Sequence, residues 1–196
     1  MIVEPPYGRK ESMDIVIELL SRRAPGAFMV ELGSTRDPEG IEGDGHSTPI
    51  LAYVAERSGH FFYTVDAVKD ATDAAREICK NYGLGADKQV NFVTKDGIRF
   101  LRLWRDSGVH LDFLYLDAWD HVPGYEKISE EKHLEAFITI EKNMAPDALV
   151  LIDDVKNRAN WAGKGKLVIP YLLKHGYEVL FKGYQSLFQK TGGRLS

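Results

Sequence analysis

Residues 27–34 read Ala-Phe-Met-Val-Glu-Leu-Gly-Ser, a short apolar run that ends in an acid and a glycine. A second stretch, residues 43–48, reads Gly-Asp-Gly-His-Ser-Thr and precedes an apolar helical pattern. A buried strand, a glycine-bearing connection and then a helix are the opening of a βαβ unit. Glycine in such a connection lets the backbone approach a ligand closely. The two stretches therefore predict a parallel α/β sheet with a ligand site after its first strand.

The same alternation of short apolar runs and helical patterns continues along the whole chain. Strands are expected at 27–32, 61–65, 89–93, 113–116, 148–152, 177–181 and 186–189. Helices are expected at 11–23, from 47 or 48 onward, at 69–82, up to about 104, at 128–143 and at 166–175. Gly183 lies in a short connection, which makes the last two strands an antiparallel hairpin. The fold class predicted is α/β, a doubly wound, mostly parallel seven-stranded sheet with an antiparallel last strand, in one domain over residues 1–196.

Composition and charge narrow the class of partner. The chain has 196 residues, 44% hydrophobic and 28% charged, with a formal net charge of −4. This charge gives no electrostatic case for nucleic acid as the main partner, and no apolar run approaches the ~18 residues of a membrane span. One cysteine cannot form an internal disulfide. We expect a cytoplasmic protein that acts on a small molecule, with no nucleic acid and no membrane partner, whose terminal hairpin could pair in a homo-oligomer.

Each of the first five predicted strands ends in, or leads to, a carboxylate. These acids are Glu31, Asp66, Asp96, Asp117 and the pair Asp153-Asp154. In open α/β sheets, ligands bind beyond the carboxyl ends of the strands. A single aspartate at such a position often does no more than cap the next helix. Acids at five strand ends along one edge instead indicate a site for hydroxyls, amines or a metal.

The connection after the first strand indicates which ligand is favoured. Asp66 follows Gly45 by 21 positions, close to the roughly 20-residue spacing of a ribose-binding acid. The Gly-x-Gly-x-x-Gly fingerprint is absent, because Thr48 occupies the third glycine position. A pyrophosphate needs a helix N-terminus free of negative charge, whereas this connection is acidic. Its acids are Asp37, Glu39, Glu42 and Asp44. The pattern favours a nucleoside with a cationic end over a dinucleotide.

Residues 30–34 and 45–48 together resemble motif I of class I S-adenosylmethionine-dependent methyltransferases. The resemblance runs from about Gly8 to Gln189, and it is strongest to small-molecule O-methyltransferases of the catechol O-methyltransferase type. It implies a Rossmann-like methyltransferase fold and S-adenosylmethionine as the cofactor. It also implies methyl transfer to an oxygen of a small hydroxylated molecule.

The resemblance assigns one group of residues to the methionine end of the cofactor. Glu31 and Gly33 would lie against the methionine portion, and Ser47 would hydrogen-bond its carboxylate. Met13, in a Gly-x-x-x-x-Met segment that starts at Gly8, would lie near the methyl-transfer centre.

A second group would contact the nucleoside. Asp66 would accept hydrogen bonds from the ribose hydroxyls, and Asp96 with Gly97 would lie beside the adenine amino group. The complete set expected at the cofactor is Met13, Glu31, Gly33, Ser34, Gly45, Ser47, Asp66, Ala67, Asp96, Gly97 and Asp117.

The resemblance also implies a metal. In the catechol-type subgroup a divalent cation is held by an aspartate after strand four and an Asp-Asn pair after strand five. Asp117, Asp153 and Asp154 match that pattern, with Asp154 in place of the asparagine. A hard cation such as Mg²⁺ accepts carboxylate oxygens and would lower the pKa of a bound hydroxyl. The alternative is that Asp154 caps the next segment and no metal binds.

The proton acceptor is less clearly indicated. The subgroup's catalytic lysine lies three residues after the strand-four aspartate, and here that position is Asp120. His121 is adjacent, and histidine titrates near neutral pH. The catalytic candidates are therefore Asp117, Asp120 and His121. Residues 157–166, which include Trp161 as a candidate substrate contact, have the composition of either a mobile lid or a solvated loop.

Two other functions remain open. A nicotinamide-dependent oxidoreductase would need a glycine loop that accepts pyrophosphate, and binding of NADH would reveal it. A non-catalytic S-adenosylmethionine-binding module would keep the fold without the chemistry, and the lack of a lysine at position 120 leaves this alternative open. Methyl transfer to hydroxylated acceptors separates the enzyme from the module.

Overall fold

The computed structural model describes residues 8–37, 46–86, 88–157 and 159–191. The chain divides into two compact units, the first ending at Asp96 and the second beginning at Gly97. Within the described residues, no helix is both long and apolar enough to cross a membrane.

The first unit alternates helices and strands. Its elements are α1 (Lys10–Ser21), β1 (Phe28–Leu32), α2 (Ser47–Ser58), β2 (Phe61–Asp66), α3 (Lys69–Asn81) and β3 (Val90–Thr94). β1 pairs in parallel with β2, and β2 pairs in parallel with β3. In α1 the fully buried Met13, Val16 and Leu20 lie three and four positions apart, which is the apolar face of an amphipathic helix. Gly59 ends α2 with a φ of 69°, a left-handed conformation that glycine adopts without strain.

The second unit contains the rest of the sheet and a small hairpin. Its elements are α4 (Gly97–Ser107), β4 (Leu111–Leu116), α5 (Glu126–Ile140) with a 3₁₀ turn (Glu141–Asn143), β5 (Met144–Ile152), β6 (Val155–Asn157), β7 (Ala162–Gly163), α6 (Gly165–Lys174), β8 (Tyr177–Lys182) and β9 (Ser186–Lys190). β4 is almost entirely buried, as expected for a parallel strand covered on both faces. β4 and β5 are parallel, and β9 runs antiparallel to both β5 and β8.

The predicted sheet is confirmed. Seven strands form one sheet in the order β3-β2-β1-β4-β5-β9-β8, flanked by helices, and only the last strand of the chain runs against the others. The terminal hairpin around Gly183 is also confirmed. The prediction of a single domain over residues 1–196 stays a prediction.

Two details differ from the expected elements. Strand five begins at Met144, four residues before the predicted start, because the exposed Pro146 and Asp147 interrupt its apolar pattern although the strand continues through them. Its first residue pairs with Leu111 across an irregularity in the β4–β5 register. The short β6–β7 hairpin lies where a loop was expected, because its two strands have three and two residues and show no periodicity.

Candidate functional site

The first strand of the sheet carries a buried carboxylate that accepts three hydroxyl hydrogen bonds. Glu31 is 0% exposed. Its Oε1 accepts from Ser47 Oγ at 2.5 Å, and its Oε2 accepts from Thr48 Oγ1 at 2.6 Å and Thr64 Oγ1 at 2.7 Å. Ser47 and Thr48 begin α2 and Thr64 lies in β2, so Glu31 fixes the start of α2 against two strands. A negative charge is also favoured at this helix N-terminus.

The same hydroxyls extend the network into the connection after β1. Ser34 Oγ lies 2.8 Å from Thr64 Oγ1 and acts as the donor there, because the Thr64 hydrogen is given to Glu31. The Thr35 N–H donates to Thr48 Oγ1 at 2.9 Å, and the Thr48 N–H donates to Thr35 Oγ1 at 3.2 Å. The backbone on either side of the acidic connection is thus held by side-chain hydrogen bonds. The predicted Gly45 lies outside the described residues.

His46 stands at the N-terminus of α2 and leaves one buried acceptor without a donor. Its φ is 45°, an uncommon conformation for a residue with a Cβ. Its Nε2 lies 2.9 Å from the Asp37 carbonyl oxygen and must therefore carry the hydrogen. Its buried Nδ1 then offers a lone pair that no donor among the described residues uses. A ligand N–H at the start of α2 would satisfy it.

Asp66 ends β2 with its carboxylate held by backbone. Its Oδ2 accepts from the Ser34 N–H at 3.2 Å, and its Oδ1 accepts from the Val68 N–H at 2.8 Å. The residue is half-buried, and the following Ala67 is exposed. A carboxylate has about four acceptor positions, so about two remain for the paired hydroxyls of a ribose.

The other residues expected at the cofactor differ in exposure. Met13 is fully buried in α1. Gly33 has a φ of 91°, which favours glycine, and its N–H donates to the Val65 carbonyl at 2.9 Å. Asp96 is exposed, whereas Gly97 is buried at the start of α4. The Ser47 hydroxyl donates its single hydrogen to Glu31. In this arrangement it can only accept a hydrogen bond from a further group.

The second unit brings together the three acids predicted to hold a metal. Asp117 follows β4, and Asp153 and Asp154 follow β5. One carboxylate oxygen from each lies within 4.8 Å of the others. The Asp153 N–H donates to the Leu116 carbonyl at 3.2 Å, which fixes the end of β5 against the end of β4.

A lysine that the sequence analysis did not single out lies in this cluster. Lys164 Nζ donates to Asp117 Oδ1 at 2.5 Å and to the Asp117 carbonyl oxygen at 2.9 Å, and it lies 3.0 Å from Asp154 Oδ2. These three acceptors match the three N–H donors of an ammonium. The Lys164 side chain is 2% exposed, and lysine is almost never so buried unless it is paired.

The flanking glycines explain how the lysine reaches the acids. Gly163 has a φ of 94°, and a Cβ there would lie 1.9 Å from the Asp154 carbonyl oxygen. A Cβ on Gly165 would lie 2.4 Å from Ile169 Cδ1. A side chain at Gly163 would push the segment away from the Asp154 backbone, whereas a side chain at Gly165 would meet only the flexible end of Ile169 in the same helix and the side chain of Val155. The Gly-Lys-Gly triplet was the available sequence signal for a lysine held at a close backbone approach.

Burial and charge act on both partners of the Asp117–Lys164 pair. Burial, followed by the neighbouring Asp153, raises the pKa of Asp117 well above its usual range, although Lys164 opposes the shift. Burial alone would lower the pKa of Lys164, but the three carboxylates outweigh it and raise that pKa above its usual value. Lys164 is therefore a permanent cation at neutral pH.

The second oxygen of Asp117 is also held in place. Tyr115 OH donates to Asp117 Oδ2 at 3.2 Å, and Gln185 Nε2 donates to Tyr115 OH at 2.6 Å. The Tyr184 hydroxyl donates to Asp154 Oδ1. Residues of the β8–β9 turn therefore orient both the strand-four and the strand-five acids.

Asp154 itself and two tryptophans that follow β4 and β6 have left-handed backbone conformations despite having side chains. They are Trp119, Asp154 and Trp161, with φ values of 53°, 51° and 60°. Such conformations cluster at functional sites. Trp161, the candidate substrate contact, packs edge-on against Phe188, with Lys182 Nζ 4.4 Å from its ring centre.

The two remaining catalytic candidates are placed differently. Asp120 is exposed. Lys156 Nζ lies 3.2 Å from His121 Nδ1, which must therefore act as the acceptor. His121 Nε2 then carries the hydrogen and lies 3.4 Å from Glu130 Oε1. In this arrangement the only lone pair on the imidazole is already used by Lys156.

Comparison with known proteins identifies the fold. No protein-family model matches the sequence, and no curated protein matches it. A methyltransferase from Geobacter sulfurreducens has a TM-score of 0.59 at 14% identity, over 93% of this chain and 79% of that one. Magnesium protoporphyrin IX methyltransferase from Synechocystis PCC 6803, solved with S-adenosylhomocysteine (SAH) bound, has a TM-score of 0.59 at 13% identity, over 94% and 84%.

A third solved structure is longer than this chain. A putative S-adenosylmethionine-dependent methyltransferase from Streptococcus mutans has a TM-score of 0.58 at 12% identity, over 93% of this chain but only 48% of its own. The present chain therefore spans about half of that protein. Together these similarities show that the chain has the Rossmann-like fold of S-adenosylmethionine-dependent methyltransferases.

Proposed function

We propose that this chain is an S-adenosylmethionine-dependent methyltransferase that methylates an oxygen of a small hydroxylated molecule. The observation that carries the proposal is Asp66. Its half-buried carboxylate ends β2, is oriented by two backbone N–H groups, and has acceptor positions left for a diol. An acid at the end of the second strand is the ribose partner of nucleoside ligands on such sheets.

The first unit has further features that suit this cofactor. Gly33, with a positive φ, leaves the backbone after β1 free of a Cβ. The buried Nδ1 of His46, which no donor among the described residues uses, is an acceptor at the start of α2, suited to an ammonium such as that of a methionine group. Glu31 acts as a positioning residue, because its oxygens hold Ser47 and Thr48 at the helix start. When bound, S-adenosylmethionine supplies a methyl group activated by its sulfonium.

In the second unit, Asp117 is the residue best placed to act on an acceptor hydroxyl. Lys164 and Tyr115 fix its two oxygens, and its carboxyl also hydrogen-bonds to that of Asp153, which leaves about one acceptor position for a further hydrogen bond. We assign to Asp117 the orientation of the acceptor hydroxyl and the removal of its proton. Asp120 is exposed, and the imidazole lone pair of His121 is used by Lys156, so both remain weaker candidates.

The predicted divalent cation suits the three carboxylates taken alone, but not the lysine between them. An ion about 2.1 Å from the carboxylate oxygens would lie within about 5 Å of Lys164 Nζ, given the 2.5 Å contact to Asp117. Lys164 Nζ already contacts Asp117 Oδ1 and Asp154 Oδ2, which are two of the oxygens that such an ion would have to coordinate. The acids and Lys164 together therefore do not fit a metal, and the proposed reaction needs none.

The alternative functions differ in measurable ways. An oxidoreductase would bind NADH, which the acidic residues of the first connection disfavour. A non-catalytic module would bind SAH and transfer nothing. Calorimetric titration with SAH and with NADH, followed by transfer of labelled methyl to a panel of phenols and other hydroxylated acceptors, distinguishes all three. Binding of SAH alone with transfer to an oxygen is expected. NADH binding, or SAH binding without transfer to any acceptor, would refute the proposal.

A further inference from the structure

The acid cluster of the second unit already contains a cation. Asp117, Asp153 and Asp154 each present an oxygen to the same small volume. Lys164 Nζ contacts the first and the third of these residues at 2.5 and 3.0 Å. An ammonium at this position occupies oxygens that a divalent ion would have to coordinate. The acids that match the catechol-type pattern therefore have the Lys164 ammonium as a counter-charge within the same cluster.

The lysine is fixed by its surroundings. Its side chain is 2% exposed, and each of its three donors has an acceptor. The close approach of Gly163 to the Asp154 carbonyl oxygen holds the backbone immediately before the lysine. A surface lysine could swing into solvent when an ion arrives. Lys164 would have to leave a buried position and give up three charge-assisted contacts.

We propose that the Lys164 ammonium takes the place of the divalent cation, so that this chain orients its acceptor at a metal-independent acid–lysine centre. The lysine neutralises part of the carboxylate charge and holds Asp117 toward the acceptor. This role for the acceptor rests on the proposed function. The exclusion of a metal does not, because it follows from the geometry of the cluster alone.

The test is Mn²⁺ binding to the full chain, followed by electron paramagnetic resonance and calorimetry after removal of adventitious metal. The wild-type chain is expected to show no specific site up to millimolar Mn²⁺. Lys164→Met keeps the length of the side chain and removes the charge. It is expected to gain one Mn²⁺ site at least 100-fold tighter and a metal-dependent rise in melting temperature. Adding Asp153→Asn to this variant should abolish the gain.

The matched control is Lys166→Met, which removes the same charge two residues later, where the half-exposed Lys166 pairs with Glu130. It should gain no site. Should Lys164→Met fail to fold, the wild-type titration still decides the matter: a tight Mn²⁺ site lost in Asp153→Asn would overturn the proposal. A folded Lys164→Met without any gain in Mn²⁺ affinity would overturn it as well. SAH binding, measured in the same samples, tests the proposed function separately.

Discussion

Replacing Glu31 tests the polar network that positions the first ligand-binding connection. Glu31→Ala would leave the hydroxyls of Ser47, Thr48 and Thr64 without their acceptor. These three residues are no more than 2% exposed. Each buried group left unsatisfied costs about 1–3 kcal/mol. For three hydroxyls, a loss of about 3–9 kcal/mol in the free energy of unfolding is expected. That is a large part of the about 5–15 kcal/mol that holds a typical domain together.

Glu31→Gln is the matched control, because the geometry lets an amide hydrogen-bond to all three partners. Its carbonyl oxygen can take the place of Oε2 and accept from Thr48 and Thr64. Its NH₂ can take the place of Oε1 and donate to Ser47 Oγ, because a hydroxyl also accepts. The variant loses the charge, with its favourable interaction with the N-terminus of α2, and the Ser47 hydroxyl hydrogen loses its acceptor Oε1. A cost of about 1–2 kcal/mol is expected.

The measurement is equilibrium unfolding in urea, with the midpoint compared at unchanged slope. Glu31→Ala is expected to be more destabilising than Glu31→Gln by at least about 2 kcal/mol. If both variants cost the same, or if Glu31→Ala costs less than about 1 kcal/mol, the hydroxyls do not depend on this carboxylate and the argument fails.

Two further predictions concern the second unit. Gly163→Ala should lower the free energy of unfolding by at least about 2 kcal/mol more than Gly176→Ala in urea titrations. Both glycines have positive φ, but only at Gly163 would the new Cβ meet backbone, at 1.9 Å from the Asp154 carbonyl oxygen. An equal loss of unfolding free energy in the two variants would contradict this close approach. Burial, and then Lys164, lower the pKa of His133 to about 3. As the pH falls, the unfolded chain therefore binds a proton at His133 that the folded chain does not bind. Stability should fall by about 2 kcal/mol more in wild type than in His133→Asn between pH 7 and pH 5, and parallel pH curves would refute this.

The sequence was informative where structure is local. The apolar run before Gly33 and the helix start at Ser47 follow from patterns within a few residues, and both lie where they were predicted. The carboxylates of Asp117 and Asp153 were expected together because parallel strands end at one edge of a sheet, and they do lie together. These predictions rely on periodicity and on the rule for strand ends.

The sequence was least informative where contacts join distant segments. Lys164 lies 47 residues after Asp117, in a polar, glycine-rich segment whose composition favoured a lid or a loop. The Gly-Lys-Gly triplet allows a close backbone approach at this lysine, but nothing local indicates which acids its side chain contacts. The hydrogen bonds that Ser47 and Thr64 donate to Glu31 are likewise invisible in a linear pattern, because they join a helix start and a second strand. Side-chain partners of this kind depend on tertiary packing.

The interpretation of His121 shows the same limit. Adjacency to the missing lysine position made it a candidate base. Whether the His121 ring can accept a substrate proton depends on Lys156, which is 35 residues away and donates to its Nδ1. The two residues come together because Lys156 lies in the β6–β7 hairpin, whose short strands gave no signal.

The central claim is that the end of β2 binds the ribose of S-adenosylmethionine through Asp66. Calorimetric titration of SAH into wild type, Asp66→Asn and Asp70→Asn tests it most directly, since Asp70→Asn removes the same charge from the exposed first turn of α3. We predict one SAH site in wild type and unchanged SAH affinity in Asp70→Asn. In Asp66→Asn the affinity should be at least about tenfold weaker, because a charged hydrogen bond worth about 1.5 kcal/mol or more is lost. Absence of SAH binding to wild type, or equal affinity in Asp66→Asn, would contradict the account.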